Sequence, residues 1–142
     1  MIFVASGTQD GRGLVEYLLK QNYKVMASVV TNYGKELLPK DENLIINDHK
    51  LDEEAMKNCL KENQIKVFVD ATHPYAVNVS KTAMQVCNEL NIPYIRYERE
   101  VTPIPAYNKL HLVKTYEEAS DLAMQLGENI FLTTGSNRLD LF

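Results

Sequence analysis

The ten residues from Val67 to Ala76, reading V-F-V-D-A-T-H-P-Y-A, concentrate more chemistry than any other stretch of the chain. An apolar, β-branched run ends in Asp-Ala-Thr-His, and a proline then opens a long amphipathic pattern. Proline suits the first position of a helix, since its φ is already helical and its missing N–H would be unpaired there. The pattern predicts a buried strand feeding a helix from Pro74 to about Leu90. The free first-turn amides and the helix dipole would then favour an anion. Thr72 and His73 stand beside that site, where His73 serves helix capping as readily as catalysis.

A second candidate is the turn Ser6-Gly7-Thr8-Gln9-Asp10-Gly11-Arg12-Gly13, with glycines spaced G-x-x-x-G-x-G. Such glycines let a backbone turn tightly and approach a pyrophosphate, with a helix N-terminus behind it. They would equally serve a turn that needs positive φ and holds nothing. Its place directly after the first predicted strand favours the ligand. At the end of the second predicted strand, NAD-selective sheets usually carry a carboxylate for the ribose hydroxyls. Here Ser28, Thr31, Asn32 and Tyr33 stand there, with no acid until Glu36 and with Lys35 and Arg12 near. That set suits a 2′-phosphate and points to NADP, although a domain binding no nucleotide would also lack the acid.

Arg96-Tyr97-Glu98-Arg99-Glu100 ends the fifth predicted strand. Its guanidinium groups could hold carboxylates of a large acidic substrate; as solvated ion pairs they would contribute little. A short-chain dehydrogenase is excluded, because no tyrosine is followed four places later by lysine: Gln21 follows Tyr17 and Val79 follows Tyr75. Cys59 and Cys87 fall on apolar helix faces without CxxC or metal-ligand spacing, so packed thiols and no metal are expected. His49 and His111 read as surface residues.

Strands are expected at 2–6, 24–30, 44–46, 66–70, 93–97, 110–113 and 129–133. Helices are expected at about 11–21, after an Asp52 N-cap, from Pro74, and from a Thr115/Glu118 capping box to Gly127. Asn32-Tyr33-Gly34 reads as a turn. The alternation implies α/β architecture: a doubly wound, Rossmann-like parallel sheet with helices on both faces, in order 3-2-1-4-5. Ligands of such sheets bind past the carboxyl ends of the strands at the switch point, which here means the loops after strands one and four.

With 142 residues, 45% hydrophobic and 24% charged, the chain fits an ordinary globular domain. A net charge of -4 without a basic run argues against nucleic acid or an anionic membrane as partner. No stretch reaches spanning length, and the first strand leaves no room for a signal peptide, so a cytoplasmic location is expected. Residues 1–128 are expected to form a cofactor-binding domain, and 129–142 either the start of a second domain or a docked tail. Exposed Leu139, Leu141 and Phe142 could drive homodimerisation.

These segments resemble, in order, the signatures of the precorrin-6A and cobalt-precorrin-6A reductases of cobalamin biosynthesis. The likeness lies in Gly7-Thr8-Gln9-Asp10-Gly11-Arg12, Thr31-Asn32-Tyr33-Gly34, Asp70-Ala71-Thr72-His73-Pro74-Tyr75-Ala76, Pro93-Tyr94-Ile95-Arg96-Tyr97-Glu98-Arg99 and Leu132-Thr133-Thr134-Gly135-Ser136. Ser6 departs from the family's first glycine, Asp10-Gly11 from Glu-Ala, and Glu100 from a frequent proline. The resemblance implies NADPH-dependent reduction of a double bond in a tetrapyrrole macrocycle, giving precorrin-6B, with this chain as the N-terminal half of the enzyme and inactive alone. It implies that Gly7, Thr8, Gln9 and Arg12 serve the cofactor, with Thr72, His73, Pro74 and Tyr75 lining its cleft and Thr134, Gly135 and Ser136 completing it. Arg96 and Arg99 would meet substrate carboxylates, and His73 or Tyr75 could supply a proton. The alternative is a Rossmann-like nucleotide or effector module without redox chemistry.

Overall fold

In the computed structural model, which describes residues 1–98, 103–134 and 136–142, the alternation folds as one parallel sheet. Its strands are β1 (Ile2–Ala5), β2 (Val25–Ser28), β3 (Leu44–Asn47), β4 (Val67–Asp70) and β5 (Tyr94–Arg96), in order β3-β2-β1-β4-β5. The connecting helices are α1 (Gln9–Lys20), α2 (Asn32–Glu36), α3 (Glu53–Glu62) and α4 (Val77–Glu89). These elements lie in one compact unit, Met1–Val101; Thr102–Phe142 forms another, which holds α5 (Tyr116–Leu126).

The doubly wound order is the expected one, and it follows from burial. The three central strands are apolar at nearly every position, as strands covered on both faces must be. On one face Val4, Val25, Ala27 and Val69 pack with Val15 and Leu19 of α1. On the other, Phe3, Met26 and Phe68 pack with Met56 and Leu60 of α3 and with Ala83, Val86 and Cys87 of α4. Register places Phe3 beside Phe68 and Phe68 beside Tyr94, and the rings stack with centroids 4.8 and 5.8 Å apart.

Helices α1, α3 and α4 end alike. The next residue but one, Asn22, Gln64 or Asn91, takes a φ of 59, 50 or 51°. The amides of Tyr23, Ile65 and Ile92 then reach back to the carbonyls of Leu18, Leu60 and Cys87, closing Schellman motifs that aim the chain into the next strand.

Several expected boundaries shift. Helix α4 starts at Val77, three residues past Pro74. Instead, Ala76 N donates to His73 O at 2.9 Å, so Pro74 occupies the second position of a β-turn, which its fixed φ suits equally well. Asn32-Tyr33-Gly34 begins the short helix α2 rather than an open turn, because Thr31 Oγ1 accepts from Gly34 N at 3.0 Å. The segments 110–113 and 129–133 are irregular, not strands. Leu112 is 72% and Phe131 92% exposed, so the burial that would hold such strands is missing. Half of the capping box forms: Glu118 N donates to Thr115 Oγ1, while Glu118 Oε2 accepts from Lys114 N, one residue before the cap, rather than from Thr115 N. Within this second unit Ser120 Oγ donates to Leu141 O, which ties the terminal segment to α5.

The start of α1 is pressed against the sheet. A Cβ at Gly11 would lie 2.9 Å from Ser6 Cα and 3.2 Å from Ala71 O, both backbone. Gly11→Ala should therefore force α1 away from the β1 and β4 ends and cost about 1–3 kcal/mol. A urea titration of the two proteins measures that loss directly.

Candidate functional site

The strand order reverses between β1 and β4, and the turns that leave these two strands meet there. Thr8, the N-cap of α1, accepts from Gly11 N at 3.0 Å and donates to Ala71 O at 3.0 Å. One hydroxyl thus caps a helix and fastens the two turns together. Both turns lie on the same edge, as the sequence reading requires. Gly7 is exposed there; a Cβ on it would meet nothing within 4 Å, and its φ lies outside the left-handed region. Neither packing nor backbone conformation demands a glycine at this position. An open cleft of about 710 Å³ continues along α1, lined by Gln9, Arg12, Gly13, Tyr17 and Tyr97 among others.

The centre of the edge is Asp70, whose side chain is 0% exposed. Its partners follow from register. Asp70 pairs with Arg96 across the β4–β5 ladder, so both side chains emerge on the same face, and Tyr94 lies one pleat below on that face. Ser80 comes down from the first turn of α4. Oδ1 accepts from Thr72 N at 3.0 Å, from Thr72 Oγ1 at 2.7 Å and from Arg96 Nη1 at 2.7 Å. Oδ2 accepts from Ser80 Oγ and Tyr94 OH, both at 2.6 Å. Burial opposes ionisation of this carboxyl, but the hydrogen bonds from Ser80, Tyr94 and Thr72 outweigh it and hold it at about 2. Burial and the neighbouring Asp70 carboxylate push the Tyr94 phenol up to about 12. At neutral pH both groups keep their protonation state, so they position the edge rather than exchange protons with a ligand.

The residues singled out in the sequence fare differently. Thr72 is spent on Asp70, and Arg96 Nη1 and Nη2 also donate to Thr72 Oγ1 and Thr72 O at 3.0 and 3.2 Å. Arg96 Nε reaches Glu98 at 3.2 Å. The guanidinium is therefore occupied inside the protein, although 23% of the side chain stays exposed. His73 and Tyr75 are exposed on the β-turn, with ring centroids 4.8 Å apart. His73 Nδ1 accepts from Tyr75 N at 3.2 Å, which leaves the proton of the neutral ring on Nε2. Thr31 caps α2. Thr134 is exposed in the second unit and Ser136 opens a 3-10 segment there; Arg99 and Gly135 lie outside the described residues.

Burial raises the thiol of Cys87 to about 11, in keeping with a packed cysteine. Among the described residues no group of three or more His, Cys, Asp or Glu could hold a metal, and no helix is long and apolar enough to cross a membrane. The sequence reading missed the roles of Asp70, Ser80 and Tyr94. A carboxylate ending an apolar strand was the signal for the first; the other two emerge only with the register.

A family model described as precorrin-6x reductase CbiJ/CobK matches residues 1–142. The chain belongs to this family. Over 142 residues it is 39% identical to the cobalt-precorrin-6A reductase of Priestia megaterium, a match covering 100% of this chain and 55% of that protein. The cobalt-precorrin-6A reductase of Methanococcus maripaludis is 34% identical over 142 residues, covering 97% and 55%. A solved structure of CobK precorrin-6A reductase superposes with a TM-score of 0.69 at 21% identity, over 84% of this chain and 47% of that one. That likeness speaks to the fold. The chain thus spans about half the length of the curated relatives it matches.

The Asp70 network sets a pH dependence for this member of the family. A carboxyl held at about 2 against an ordinary 3.8 contributes about 2 kcal/mol of stability. The contribution is complete above about pH 4 and is lost as pH falls towards 2, because the unfolded carboxylate then binds protons first. Asp70→Asn should remove about 3 kcal/mol at pH 7 by stranding Arg96 beside a neutral amide, and should flatten the stability profile between pH 4 and 2. Urea midpoints across pH for both proteins measure the two effects.

Proposed function

We propose that this chain is the N-terminal, dinucleotide-binding half of a reductase that uses NADPH to reduce one double bond of precorrin-6A or cobalt-precorrin-6A to the precorrin-6B level. The names of the relatives support the substrate class. The observation that carries the cofactor reading is Gly7, an exposed glycine at the switch point whose Cβ would enter open space. The residue that a side chain would extend there is replaced by bare backbone, as close approach of a pyrophosphate requires. In this reading Gly7, Thr8, Gln9 and Arg12 hold the phosphates, and Thr31 lies towards the ribose end. Thr72, His73, Pro74 and Tyr75 flank the nicotinamide side. Residues 1–128 act as the cofactor domain and 129–142 begin the second.

When bound, the dinucleotide supplies the hydride. The chain's own part is to orient it, which the Thr8 bridge does by fixing the two turns relative to each other. His73 Nε2 and the Tyr75 hydroxyl are the proton-bearing groups on the exposed turn and the candidates for protonating the macrocycle. Arg99 and the exposed portion of Arg96 are the candidates for its carboxylates. A cytoplasmic biosynthetic setting fits this chemistry.

Titration with NADPH and with NADH tests the reading. The chain should bind NADPH more tightly; equal or absent binding of the two would overturn the cofactor assignment. Gly7→Ala should weaken NADPH binding about ten-fold, equivalent to about 1.4 kcal/mol, with an unchanged urea midpoint. Alone, the chain should turn over little or no substrate when nicotinamide absorbance is followed, and full activity would exclude the two-domain reading.

A further inference from the structure

Beyond the carboxyl ends of β2 and β3, Lys35 Nζ and Asp48 Oδ2 meet at 2.5 Å. Lys35 is carried by α2, and Asp48 directly follows β3. A hydrogen-bonded row connects them to the switch point. Ser6 N donates to Ser28 O at 3.0 Å, and Val29 N to Asn47 O at 2.9 Å. Asn47 Nδ2 donates to Ser28 Oγ at 3.0 Å and to His49 O at 2.8 Å, which fixes the backbone on both sides of Asp48. The pair therefore stands on the edge that Gly7 occupies, further out along it.

A dinucleotide with its pyrophosphate on the turn after β1 extends its adenosine ribose towards the end of β2. A carboxylate in that place accepts from a free ribose diol and repels a 2′-phosphate, whereas an ammonium attracts the phosphate. The end of β2 has no acid, and absence of an acid there favours NADP. The next strand, however, brings Asp48 to the same region, and it is already paired. Lys35 is 49% and Asp48 30% exposed, so a ligand can reach both. His49 Nε2 lies 3.5 Å from Asp48 Oδ1, but that side chain is 85% exposed and leaves the carboxylate open on one flank.

We propose that the Lys35–Asp48 pair sets which nicotinamide dinucleotide this edge accepts. Asp48 holds the ammonium when no 2′-phosphate is present, and the 2′-phosphate must draw Lys35 away from it. Asp48 thus acts as a counterweight that limits the preference for NADPH. This rests on the dinucleotide reading above.

The test is titration of the whole chain and two variants with NADPH and NADH at low salt. Asp48→Asn should tighten NADPH about five-fold and leave NADH unchanged or weaker; Lys35→Gln should weaken NADPH by a similar factor with little effect on NADH. The difference between the two dinucleotides should shrink as salt rises, because the groups are exposed. Both positions are on the surface, and circular dichroism checks that the variants are folded. If wild type binds NADPH and both variants keep its NADPH-to-NADH ratio, the proposal is wrong while the cofactor reading stands. If wild type binds neither, the cofactor reading fails and the proposal falls with it.

Discussion

An ionised carboxylate with no access to water organises the carboxyl edge of the sheet. Asp70 can stay charged in the sheet only because five donor groups converge on its two oxygens. Those donors come from the turn after β4, from α4 and from β5. Each of these elements is therefore positioned by the same charge, and moving any one of them would leave a buried anion short of a partner. Unlike the aromatic stack below it, which tolerates small displacements, a buried charge has a steep penalty for poor geometry.

That constraint explains why the turn after β4 can be both exposed and ordered. Its first residues, Ala71 and Thr72, are tied down by Thr8 and Asp70. Its outer residues, His73 and Tyr75, project from the β-turn that follows. The turn after β1 is set differently, by close contact of Gly11 with Ser6 and Ala71. One side of the switch point is held electrostatically, the other sterically, and the Thr8 hydroxyl joins the two.

Much of this was legible from residue order. Apolar runs at the central strands, Asp52 and Thr115 at helix starts, and the alternation of elements were enough for the sheet order. Local rules failed where one residue satisfies two structures. Pro74 fits a helix start and a β-turn equally, and only the hydrogen bond from Ala76 to His73 separates them. Short apolar segments such as 110–113 and 129–133 form strands only if a ladder and a buried face exist to receive them. From sequence Arg96 offers both a substrate contact and a surface ion pair, and neither names its partner, because Asp70 is 26 residues away and opposite it only in the β4–β5 register. Asp48 is illegible in sequence for the same reason: its proximity to Lys35 depends on how α2 folds back, where Thr31 caps it.

The helix ends lie at the opposite edge, where the chain enters β2, β4 and β5. Each reverses on an asparagine or glutamine in the left-handed region, a conformation that costs side-chain-bearing residues of the L series about 1 kcal/mol or more. The same left-handed turn recurs at three helix ends, at the edge opposite the switch-point loops. Thermal tolerance in this unit is accordingly separable from the geometry of the switch point: the amino-terminal rim of the sheet can be hardened residue by residue while the carboxyl rim keeps its shape.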